Sequence, residues 1–581
     1  MKLNLKLAAA LVAGGVAATA MPAHAQNVTF QRLLNADTEP HNWLHYSQNY
    51  KNWRYSPLSQ INRNNVDRLK MAFIFSIGRD TKADGAEEGT PLVEDGFMYV
   101  TNTWSKLMKV DVRSGTRGQP VWRFDPKSEF TRSNKGPGLL GDNVYITTND
   151  VRLFAVNKNT GEPVWEKNMV SPTESNTQRT TPGPMMVKNL ALVGESTGGQ
   201  SGTRSWIAAA NATTGDLVWR FHTIPAPGEP GHETWKDDHQ AWRTGGGGVW
   251  GHPVYDADTN TIWFGTGDAF PTFIPEYRPG DNLYAASTVV LDVDSGKLKW
   301  FFQEVPNEHW DQDTPNNRML IDYTVGGRQV KTVSNFTRGG FFMQHDRIAM
   351  SFLRGDPYSD NINWTKGLDP KTGKPIEYNP NVALQTYLAP VGRIGADTSG
   401  KMFCPNYNLA PIYQPPAYSP QTMSAYSAAG DSCNAINNVV SINKDSFNGG
   451  LIGKGAGTAG VTKSVATTVT LPPQVGKMWK FNVVTGKVDA MITTPSPLRS
   501  GMMATAGGLV FNAENDGTVI ARDAETLAPL WSFNLGMGMS AAPMSYAVNG
   551  KQYIAIIGGG HGGVPGQSGQ VTSAIVAVFS L

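Results

Sequence analysis

Cysteine is scarce in this chain, since Cys404 and Cys433 are the only two among 581 residues. Two thiols cannot build a zinc site from cysteines alone. The sequence also lacks a Cys-x-x-Cys-His run, to which a haem could be attached covalently. Any haem that works with this protein must therefore sit on another protein. In an oxidising compartment the two cysteines could pair with each other.

Neither positive nor negative residues are in clear excess. The 50 basic and 48 acidic residues leave a net charge of +2, which gives no electrostatic footprint for nucleic acid or for an anionic membrane surface. Beyond the N-terminus, no segment approaches the roughly 18–20 apolar residues that are needed to span a bilayer. The sequence therefore predicts no nucleic-acid partner and no membrane partner.

The N-terminus has the pattern of a secretory signal peptide. Lys2 and Lys6 supply the positive start, residues 7–20 are apolar, and Ala-His-Ala at residues 23–25 resembles a cleavage site. We expect residues 1–25 to be removed and the mature, exported, soluble protein to begin at Gln26.

A nine-residue pattern recurs along the chain and ends in tryptophan. The three clearest copies cover residues 157–165, 211–219 and 292–300, and looser copies cover residues 111–122, 482–486 and 523–531. Each clear copy has an Asx-x-x-Thr/Ser-Gly turn between two strand-like runs, which is typical of a β-hairpin whose glycine is left-handed. We interpret the tryptophan as a residue that packs between repeat units.

The spacing of the copies predicts the fold class. Neighbouring copies begin about 40–55 residues apart, which suits four short strands and is the size of a propeller blade. With 62 glycines and few amphipathic helical patterns, the chain is predicted to be all-β, an eight-bladed β-propeller of four-stranded blades that forms a single domain over residues 26–581. Tandem β-sandwiches are the alternative.

Two regions interrupt the repeats. Residues 222–247 are a Pro/Gly-rich excursion that ends in four glycines, and residues 396–470 are rich in Gly, Ser, Ala and Asn and contain both cysteines. Long loops in a compact fold are usually functional or disordered. We favour a functional role for the first region, and we interpret the second as a long insertion, which could be a lid, a partner surface or neither.

The chemistry of the chain is most visible in the run Glu-His-Trp-Asp-Gln-Asp at residues 308–313. Carboxylates at positions i and i+2 point the same way on extended backbone, so Asp311 and Asp313 at a strand end could converge on one cation while one of them accepts a proton. A solvated acidic loop is the alternative interpretation.

Several motifs, in order, are similar to those of one family. They are Asn42-Trp43, Arg54-Tyr-Ser-Pro-Leu58, Glu88-Gly-Thr-Pro-Leu92, Gly265-Thr-Gly-Asp268, Gly280-Asp-Asn-Leu-Tyr284, Trp310-Asp311-Gln-Asp313, Arg338-Gly-Gly-Phe-Phe342 and residues 504–511. Together they resemble the pyrroloquinoline-quinone-dependent alcohol dehydrogenases, which are soluble quinoproteins built as eight-bladed propellers. The resemblance covers most of the mature chain and is weakest over residues 396–470.

The resemblance implies a set of site residues. Trp250 would be the aromatic floor beneath pyrroloquinoline quinone (PQQ), and Asp311 would be the general base. The other residues that would bind the cofactor are Glu88, Thr181, Thr197 and Arg338. The residues that would bind the metal are Gln200, Asp268, Asp311 and Asp313, with Glu195 as a rival to Gln200. Asp313 occupies the place that marks lanthanide-using members, so we expect a lanthanide(III) ion or, failing that, Ca²⁺.

The chain departs from the family pattern at three places. Residues 130–136 lack the adjacent cysteines that cover the quinone in many members, Arg499 stands where a tryptophan is common, and Met402 or Phe403 stands near a usual asparagine. The absent cysteine pair, Gln200 at the metal position and the excursion Gly228-Glu-Pro-Gly-His-Glu-Thr-Trp235 make the chain similar to the sorbose-type branch. They suggest a polyol or a bulky alcohol as the substrate.

The resemblance therefore implies a periplasmic alcohol dehydrogenase. Hydride would pass from the alcohol carbon to the quinone, an aldehyde or ketone would leave, and the electrons would go to a separate periplasmic cytochrome c. A quinoprotein sugar dehydrogenase and a non-catalytic propeller scaffold are the alternatives, because blade repeats alone never imply chemistry.

Overall fold

A computed structural model describes residues 27–78, 86–172, 178–197, 203–237, 240–272, 275–389, 401–406, 410–435, 438–442, 460–463, 471–560 and 572–581. The predicted signal peptide lies outside the described residues. Eight antiparallel sheets account for most of the described chain, and each contributes four antiparallel strands to a ring of blades. The predicted fold class, an all-β, eight-bladed propeller with four-stranded blades, is confirmed.

The first four blades follow one another along the chain. Blade 1 comprises Leu92–Glu94, Phe97–Thr101, Leu107–Asp111 and Gln119–Phe124. Blade 2 comprises Gly138–Leu140, Asn143–Thr147, Arg152–Asn157 and Pro163–Asn168. Blade 3 comprises Met185–Val187, Leu190–Gly194, Trp206–Asn211 and Leu217–His222. Blade 4 comprises Val254–Asp256, Thr261–Gly265, Ser287–Asp292 and Leu298–Gln303.

The other four blades complete the ring. Blade 5 comprises Met319–Val325, Arg328–Phe336, Phe341–Asp346 and Ser351–Pro357. Blade 6 comprises Ala417–Ser419, Ser424–Asp431, Val475–Asn482 and Lys487–Thr494. Blade 7 comprises Met503–Thr505, Leu509–Ala513, Thr518–Asp523 and Pro529–Asn534, with Tyr55–Ser56 added in parallel. Blade 8 comprises Met544–Val548, Lys551–Gly560, Thr572–Ser580 and the N-terminal strand Lys70–Gly78.

The two ends of the chain close the ring in blade 8. Lys70–Gly78 pairs antiparallel with Thr572–Ser580, so that Lys70 lies opposite Ser580. A closed ring leaves no open seam between its first and last blades, where unpaired strand edges would invite association with other chains.

The first strand of a blade lies nearest the propeller axis. Most of these strands are three residues long and buried, as in Leu92–Glu94 and Met185–Val187, and the first strands of several neighbouring blades contact each other. The last strands alternate between exposed and half-buried positions, as in Gln119–Phe124. Short inner strands leave room on the axis for the loops that carry functional side chains.

The remaining described elements are short. One α-helix covers Phe30–Leu34, and 3-10 helices cover Ala36–Thr38, Val66–Arg68, His232–Thr234, Ala241–Thr244 and Pro275–Tyr277. Two small ladders pair Met402–Phe403 with Asn434–Ala435, and Asn438–Ile442 with Gly460–Lys463. None of the described helices is long and apolar enough to cross a membrane.

The recurring tryptophans join neighbouring blades. Trp122 of blade 1 lies against Gly161 in the hairpin of blade 2, where a Cβ atom on Gly161 would meet the indole at 2.7 Å. Trp122 also donates its indole N–H to the carbonyl of Lys158 at 3.1 Å. Gly161 has φ +78°, a conformation that glycine adopts without strain. The predicted packing role of the tryptophans is confirmed, and Trp165 against Gly215 and Trp219 against Gly296 repeat it.

The two irregular regions turn out differently. Within residues 222–247, Trp235 and Ala241 join a small apolar cluster with Ile224 and Tyr277. Residues 396–470 are not simply an insertion, because Ala417–Ser419 and Ser424–Asp431 are the first two strands of blade 6. Small residues such as Ala and Ser give a weak strand signal, and burial between neighbouring blades overrides it. Cys404 and Cys433 are joined by a disulfide bond in this region.

Candidate active site

One cavity of about 200 Å³ gathers most of the predicted site residues. The predicted residues that line it are Glu88, Thr181, Thr197, Trp250, Asp268, Asp311, Asp313 and Arg338. They come from positions 88–338 of the chain and from the loops of different blades, so the propeller brings together residues that are distant in sequence. Their contact with one cavity is the arrangement that the family resemblance implies.

The four glycines before Trp250 pair with the loop that carries Asp268. The N–H of Gly247 donates to the carbonyl of Asp268 at 2.9 Å, and the N–H of Gly267 donates to the carbonyl of Gly248 at 2.7 Å. Gly267 is so close to the Trp250 ring that a Cβ atom there would meet it at 2.7 Å, and would meet Asp313 Oδ1 at 3.0 Å. Glycine at position 267 therefore lets the indole and the acidic side chains share one wall.

Three carboxylates and one guanidinium form the charged centre of the cavity. Oxygen atoms of Asp268, Asp311 and Asp313 all lie within 4.8 Å of one another, and all three residues are buried. Arg338 Nη1 donates to Asp311 Oδ1 at 2.9 Å and to Asp313 Oδ2 at 2.6 Å. The backbone N–H of Asp268 donates to Asp313 Oδ1 at 2.8 Å. The Arg338 guanidinium thus contacts two of the three closely spaced acids.

The electrostatics of this centre favour the binding of positive charge. Burial, followed by the charge of Asp311, raises the pKa of Asp268 to about 6. The same two causes raise the pKa of Asp313 well above its usual range. Burial alone would lower the pKa of Arg338, but the charges of Asp311 and Asp313 raise it. Like charges held together at this distance repel, and a multivalent cation removes that repulsion.

Asp311 and Asp313 converge for a different reason from the predicted one. The sequence suggested a strand end, but Asp311 has φ +65° and belongs to no strand. Glu308 Oε1 stabilises this turn by accepting the backbone N–H groups of Trp310 at 2.5 Å and Gln312 at 2.8 Å, one on each side of Asp311. Burial, with the charge of Asp268 next, raises the pKa of Glu308 to about 8. The turn, rather than strand periodicity, directs the two carboxylates to Arg338.

Glu195, the rival to Gln200 as a metal ligand, is not part of this cluster. Gln200 lies outside the described residues. Glu195 is buried beneath Thr197, where its Oε1 accepts the N–H of Thr197 at 2.8 Å and that of Arg179 at 3.2 Å. Burial raises the pKa of Glu195 to about 7. Glu195 therefore supports the backbone of the cavity wall, and it is absent from the described acidic cluster.

Several residues on the cavity wall carried no recognised sequence signal. They are Arg132, Ser133, Lys135, Ser196, Ile412 and Tyr413. Ser133 Oγ donates to Glu88 Oε1 at 2.9 Å, and Lys135 Nζ lies 3.4 Å from Glu88 Oε2. Both residues lie in the stretch that lacks the adjacent cysteines of many family members. The signal that could have found Lys135 was its place in residues 130–136, the stretch that corresponds to the cofactor cover of the family.

The segment that follows Cys404 contributes to the wall from another direction. The amide oxygen of Gln414 accepts the N–H groups of Ile412 and Tyr413 at 3.0 and 3.2 Å. Burial raises the pKa of Tyr413 to about 12, although a hydrogen bond to Arg499 lowers it. Of the two residues near the usual asparagine, Phe403 stacks on Trp310 with ring centroids 5.1 Å apart.

The side chains present fit a planar tricarboxylic quinone and a hard cation. Trp250 offers a ring face, and Arg132, Lys135, Ser133, Thr181 and Thr197 offer donors of the kind that carboxylates and quinone oxygens need. Asp268 Oδ2 is buried and has no hydrogen-bond partner among the described residues. A cluster of carboxylate oxygens with an unused acceptor is a donor set for an ion of the Ca²⁺ or lanthanide type.

Comparisons with known proteins agree with this geometry. The profile of the PQQ-dependent glucose/ethanol/alcohol dehydrogenase β-propeller domain matches residues 43–349 and 468–554. The chain is 31% identical to quinoprotein alcohol dehydrogenase PedH of Pseudomonas putida, over 98% of this chain and 94% of the relative. It is 34% identical to the dehydrogenase subunit of the quinone alcohol dehydrogenase of Acetobacter aceti, over 98% of this chain and 80% of that subunit.

Solved structures extend the comparison. The quinohemoprotein alcohol dehydrogenase ADHIIG of Pseudomonas putida HK5 superposes with a TM-score of 0.82 at 27% identity, over 96% of this chain and 82% of that chain. A europium-containing methanol dehydrogenase gives a TM-score of 0.80 at 26% identity, over 95% of this chain and 100% of that chain. With the cavity and the family profile in agreement, the chain belongs to the PQQ-dependent alcohol dehydrogenases, enzymes that oxidise an alcohol with a bound quinone and a metal ion.

Proposed function

We propose that this protein is a periplasmic dehydrogenase for polyols or bulky secondary alcohols, with Asp311 as its general base, a lanthanide(III) ion bound by Asp268, Asp311 and Asp313, and a separate cytochrome c as its electron acceptor. The observation that carries the proposal is the buried cluster of three carboxylates and Arg338 beside Trp250 in one cavity. PQQ, when bound, supplies the two-electron acceptor for the hydride of the alcohol.

The base in this account is Asp311. Arg338 Nη1 donates to Asp311 Oδ1 at 2.9 Å, and this contact fixes the position of the carboxylate that would act as the base. Oδ2 is the oxygen that accepts the proton of the substrate hydroxyl. Because Asp311 is only 5% exposed, bulk water does not compete for that proton.

The other residues of the cavity orient the reactants. Trp250 would form the floor beneath the cofactor, and Thr181 and Thr197 line the same space. Arg338 is 4% exposed and lines the cavity, where its positive charge would stabilise negative charge that develops on a neighbouring oxygen. The three carboxylates would hold the cation, which would supply a Lewis acid to polarise a carbonyl of the quinone while Asp311 acts on the substrate hydroxyl.

The charge of the cluster supports a trivalent ion. Three carboxylates within 4.8 Å bring up to three negative charges, which a lanthanide(III) ion balances more completely than Ca²⁺ does. A solvated acid at a strand end would be exposed. Asp313 is only 4% exposed and is part of the cluster.

The substrate class follows from what covers the cavity. Ile412, Tyr413 and the exposed Arg132 line it in place of a ring of adjacent cysteines. Side chains of different size and polarity at this position favour a larger, more polar alcohol than methanol. A sugar dehydrogenase is the second candidate, because the matching family profile includes glucose among its substrates.

The electron acceptor and the compartment rest on the cysteines and the N-terminus. Cys404 and Cys433 are bonded to each other, so neither is available for a covalent haem. A disulfide bond is typical of an oxidising compartment such as the periplasm. Residues 1–25 carry the positive start, apolar run and Ala-His-Ala site of an export signal.

A dye-linked assay tests the proposed substrate. Protein reconstituted with PQQ and a metal ion is screened against simple alcohols, polyols, sugars and polycyclic alcohols. The proposal expects the highest kcat/KM for a polyol or bulky secondary alcohol. Preference for methanol contradicts the substrate class, and turnover of sugars alone favours the second candidate.

Two further measurements test the acceptor and the compartment. The purified protein should lack haem absorption and should reduce an added cytochrome c after alcohol is supplied. The periplasmic fraction should contain the protein with Gln26 at its N-terminus, as mass spectrometry of the N-terminal peptide would show. Retention of residues 1–25 in the cytoplasm would contradict the proposed location.

A further inference from the structure

Arg338 separates two cavities. One is the cofactor cavity described above, and the other is a much smaller space of about 10 Å³ on the far side of the guanidinium. Polar residues on the wall of the small cavity are Glu304, Gln312, Thr337 and Arg338, and Phe341, Met343 and Trp364 are among its apolar residues. We call this space the rear cavity.

Gln312 faces the rear cavity although both of its chain neighbours face the cofactor. Asp311 and Asp313 line the cofactor cavity, whereas the side chain between them lines the rear cavity. Gln312 is 1% exposed, and neither its Oε1 nor its Nε2 has a hydrogen-bond partner among the described residues. A buried amide that makes no hydrogen bond is costly, so its presence behind the catalytic acids requires an explanation.

Two other polar atoms on the wall of the rear cavity are in the same condition. They are Glu304 Oε2 and Arg338 Nε, both buried and both without a hydrogen-bond partner among the described residues. The other oxygen of Glu304 is fully used, since Oε1 lies 3.2 Å from Thr288 Oγ1 and 3.3 Å from both Arg318 Nη2 and Asn335 Nδ2. The unused atoms therefore all belong to residues that border one space.

The size and chemistry of that space match one water molecule. A cavity of roughly 10–15 Å³ on this measure holds one water, which needs two to four polar partners. Here Glu304 Oε2 and Gln312 Oε1 accept, and Arg338 Nε and Gln312 Nε2 donate. A water molecule donates two hydrogen bonds and accepts two, so the four unused atoms match it in number and in kind.

We propose that the rear cavity binds one water molecule, which links Glu304 and Gln312 to Arg338 Nε, and that Gln312 and Glu304 are positioning residues for Arg338. Asp311 and Asp313 hold Nη1 from the cofactor side. Because the guanidinium is planar, a hydrogen bond at Nε and another at Nη1 together fix the plane of the group. The inference rests on the proposed role of Arg338 beside the cofactor.

The variant Gln312→Met tests the positioning role. Methionine is close to glutamine in size and shape but carries no amide, so Arg338 Nε loses its anchor while the cavity stays filled. We expect kcat to fall about tenfold, a usual effect of removing a residue that orients another one at a reacting centre, with KM changed less than twofold. Met343→Leu, which alters the same cavity without changing a polar group, should keep wild-type kcat.

A crystal structure of the wild-type holoenzyme provides a second test that requires no variant. Density for one water within hydrogen-bond distance of Glu304 Oε2, Gln312 and Arg338 Nε supports the proposal, and an empty rear cavity overturns it. The same structure of Gln312→Met should show the water lost and the guanidinium rotated.

Arg338→Lys separates this inference from the function on which it rests. Wild-type kcat in Arg338→Lys means that the proposed role of Arg338 is wrong. Loss of activity in Arg338→Lys together with wild-type kcat in Gln312→Met overturns the positioning role alone and leaves the proposed function standing.

Discussion

Arg338 Nη1 lies 2.9 Å from Asp311 Oδ1, and the two side chains are almost fully buried. This contact joins the turn after blade 4 to the loop in blade 5, so the proposed base and its cationic partner come from different parts of the ring. Charge-assisted hydrogen bonds of this kind are roughly twice as strong as neutral ones. Buried pairs of this type are costly to break, because the remaining charge is left without a partner.

Replacement of Asp311 should abolish turnover. Asp311→Asn keeps the shape and one oxygen but cannot take up the hydroxyl proton, so we expect kcat to fall by about 10²–10⁴ in the dye-linked assay. Retention of PQQ should suffer less. Asp67→Asn, an exposed aspartate far from the cavity, is the control and should be unaffected. If Asp311→Asn keeps more than about a tenth of wild-type activity, the base lies elsewhere.

Replacement of Trp250 should weaken the cofactor complex. Trp250→Ala removes the ring face from the cavity, and we expect the Kd for PQQ to rise about tenfold or more, since stacking on an aromatic ring adds to the area buried. Quenching of protein fluorescence by added PQQ, with metal present, measures this Kd. Trp250→Phe keeps a flat ring and should retain most of the affinity. Equal Kd values for the wild type, Trp250→Ala and Trp250→Phe would show that Trp250 does not contact the cofactor.

Blade packing should be sensitive at Gly161. Gly161→Ala places a methyl group 2.7 Å from the Trp122 indole at φ +78°, so strain and overpacking together should lower the free energy of unfolding by about 2–3 kcal/mol. Gly326→Ala is a matched control, because Gly326 has φ +57° but nothing within 4 Å. It should cost about 1 kcal/mol, from backbone strain alone. Equal shifts in the thermal midpoint would contradict the packing role of Trp122.

We expect the free energy of unfolding to decrease as the pH falls, and we assign part of this decrease to His345. This ring is fully buried among Trp300, Phe302 and Phe352, and burial, with the charges of Arg318 and Lys374, lowers its pKa to about 3. Below about pH 6.5 the unfolded chain binds a proton that the folded protein does not, so the stability present above that pH is lost as the pH falls. The loss is about 1.4 kcal/mol per pH unit for one such residue.

The variant His345→Phe isolates this contribution. Denaturant unfolding at pH 7 and pH 5 should show a smaller loss of stability for His345→Phe than for the wild type. His41→Asn, which changes a half-exposed histidine, should follow the wild type. Parallel curves for His345→Phe and wild type would mean that His345 is protonated in the folded protein.

The sequence carried much of this architecture because its signals are local. Each hairpin places a glycine and a tryptophan at a fixed offset, as at Gly161 and Trp165, and repetition of that unit predicts blades without any knowledge of long-range contacts. The site residues Trp250, Asp268, Asp311 and Arg338 were accessible for a related reason. Each of them lies in a short motif, and the order of these motifs along the chain resembles that of one family.

What the sequence could not show depends on packing between distant segments. The pairing of Lys70–Gly78 with Thr572–Ser580 joins opposite ends of the chain, and no local pattern encodes it. Ile412 and Tyr413 reach the cavity from a loop without periodicity. The left-handed turn at Asp311 depends on Glu308 folding back over it, a contact that residue spacing alone does not reveal.

Reconstitution of the metal-free protein tests the central claim most directly. Alcohol-dependent dye reduction is measured for wild type, Asp313→Asn and Asp313→Ala with PQQ and either La³⁺, Ca²⁺ or no metal. The account predicts turnover only with PQQ and metal together, higher activity with La³⁺ than with Ca²⁺, and loss of the La³⁺ activity in both variants because three carboxylates are needed to balance a trivalent ion. Full activity with Ca²⁺, none with La³⁺ and indifference to Asp313→Ala would contradict the lanthanide site, and turnover without PQQ or metal would contradict the account as a whole.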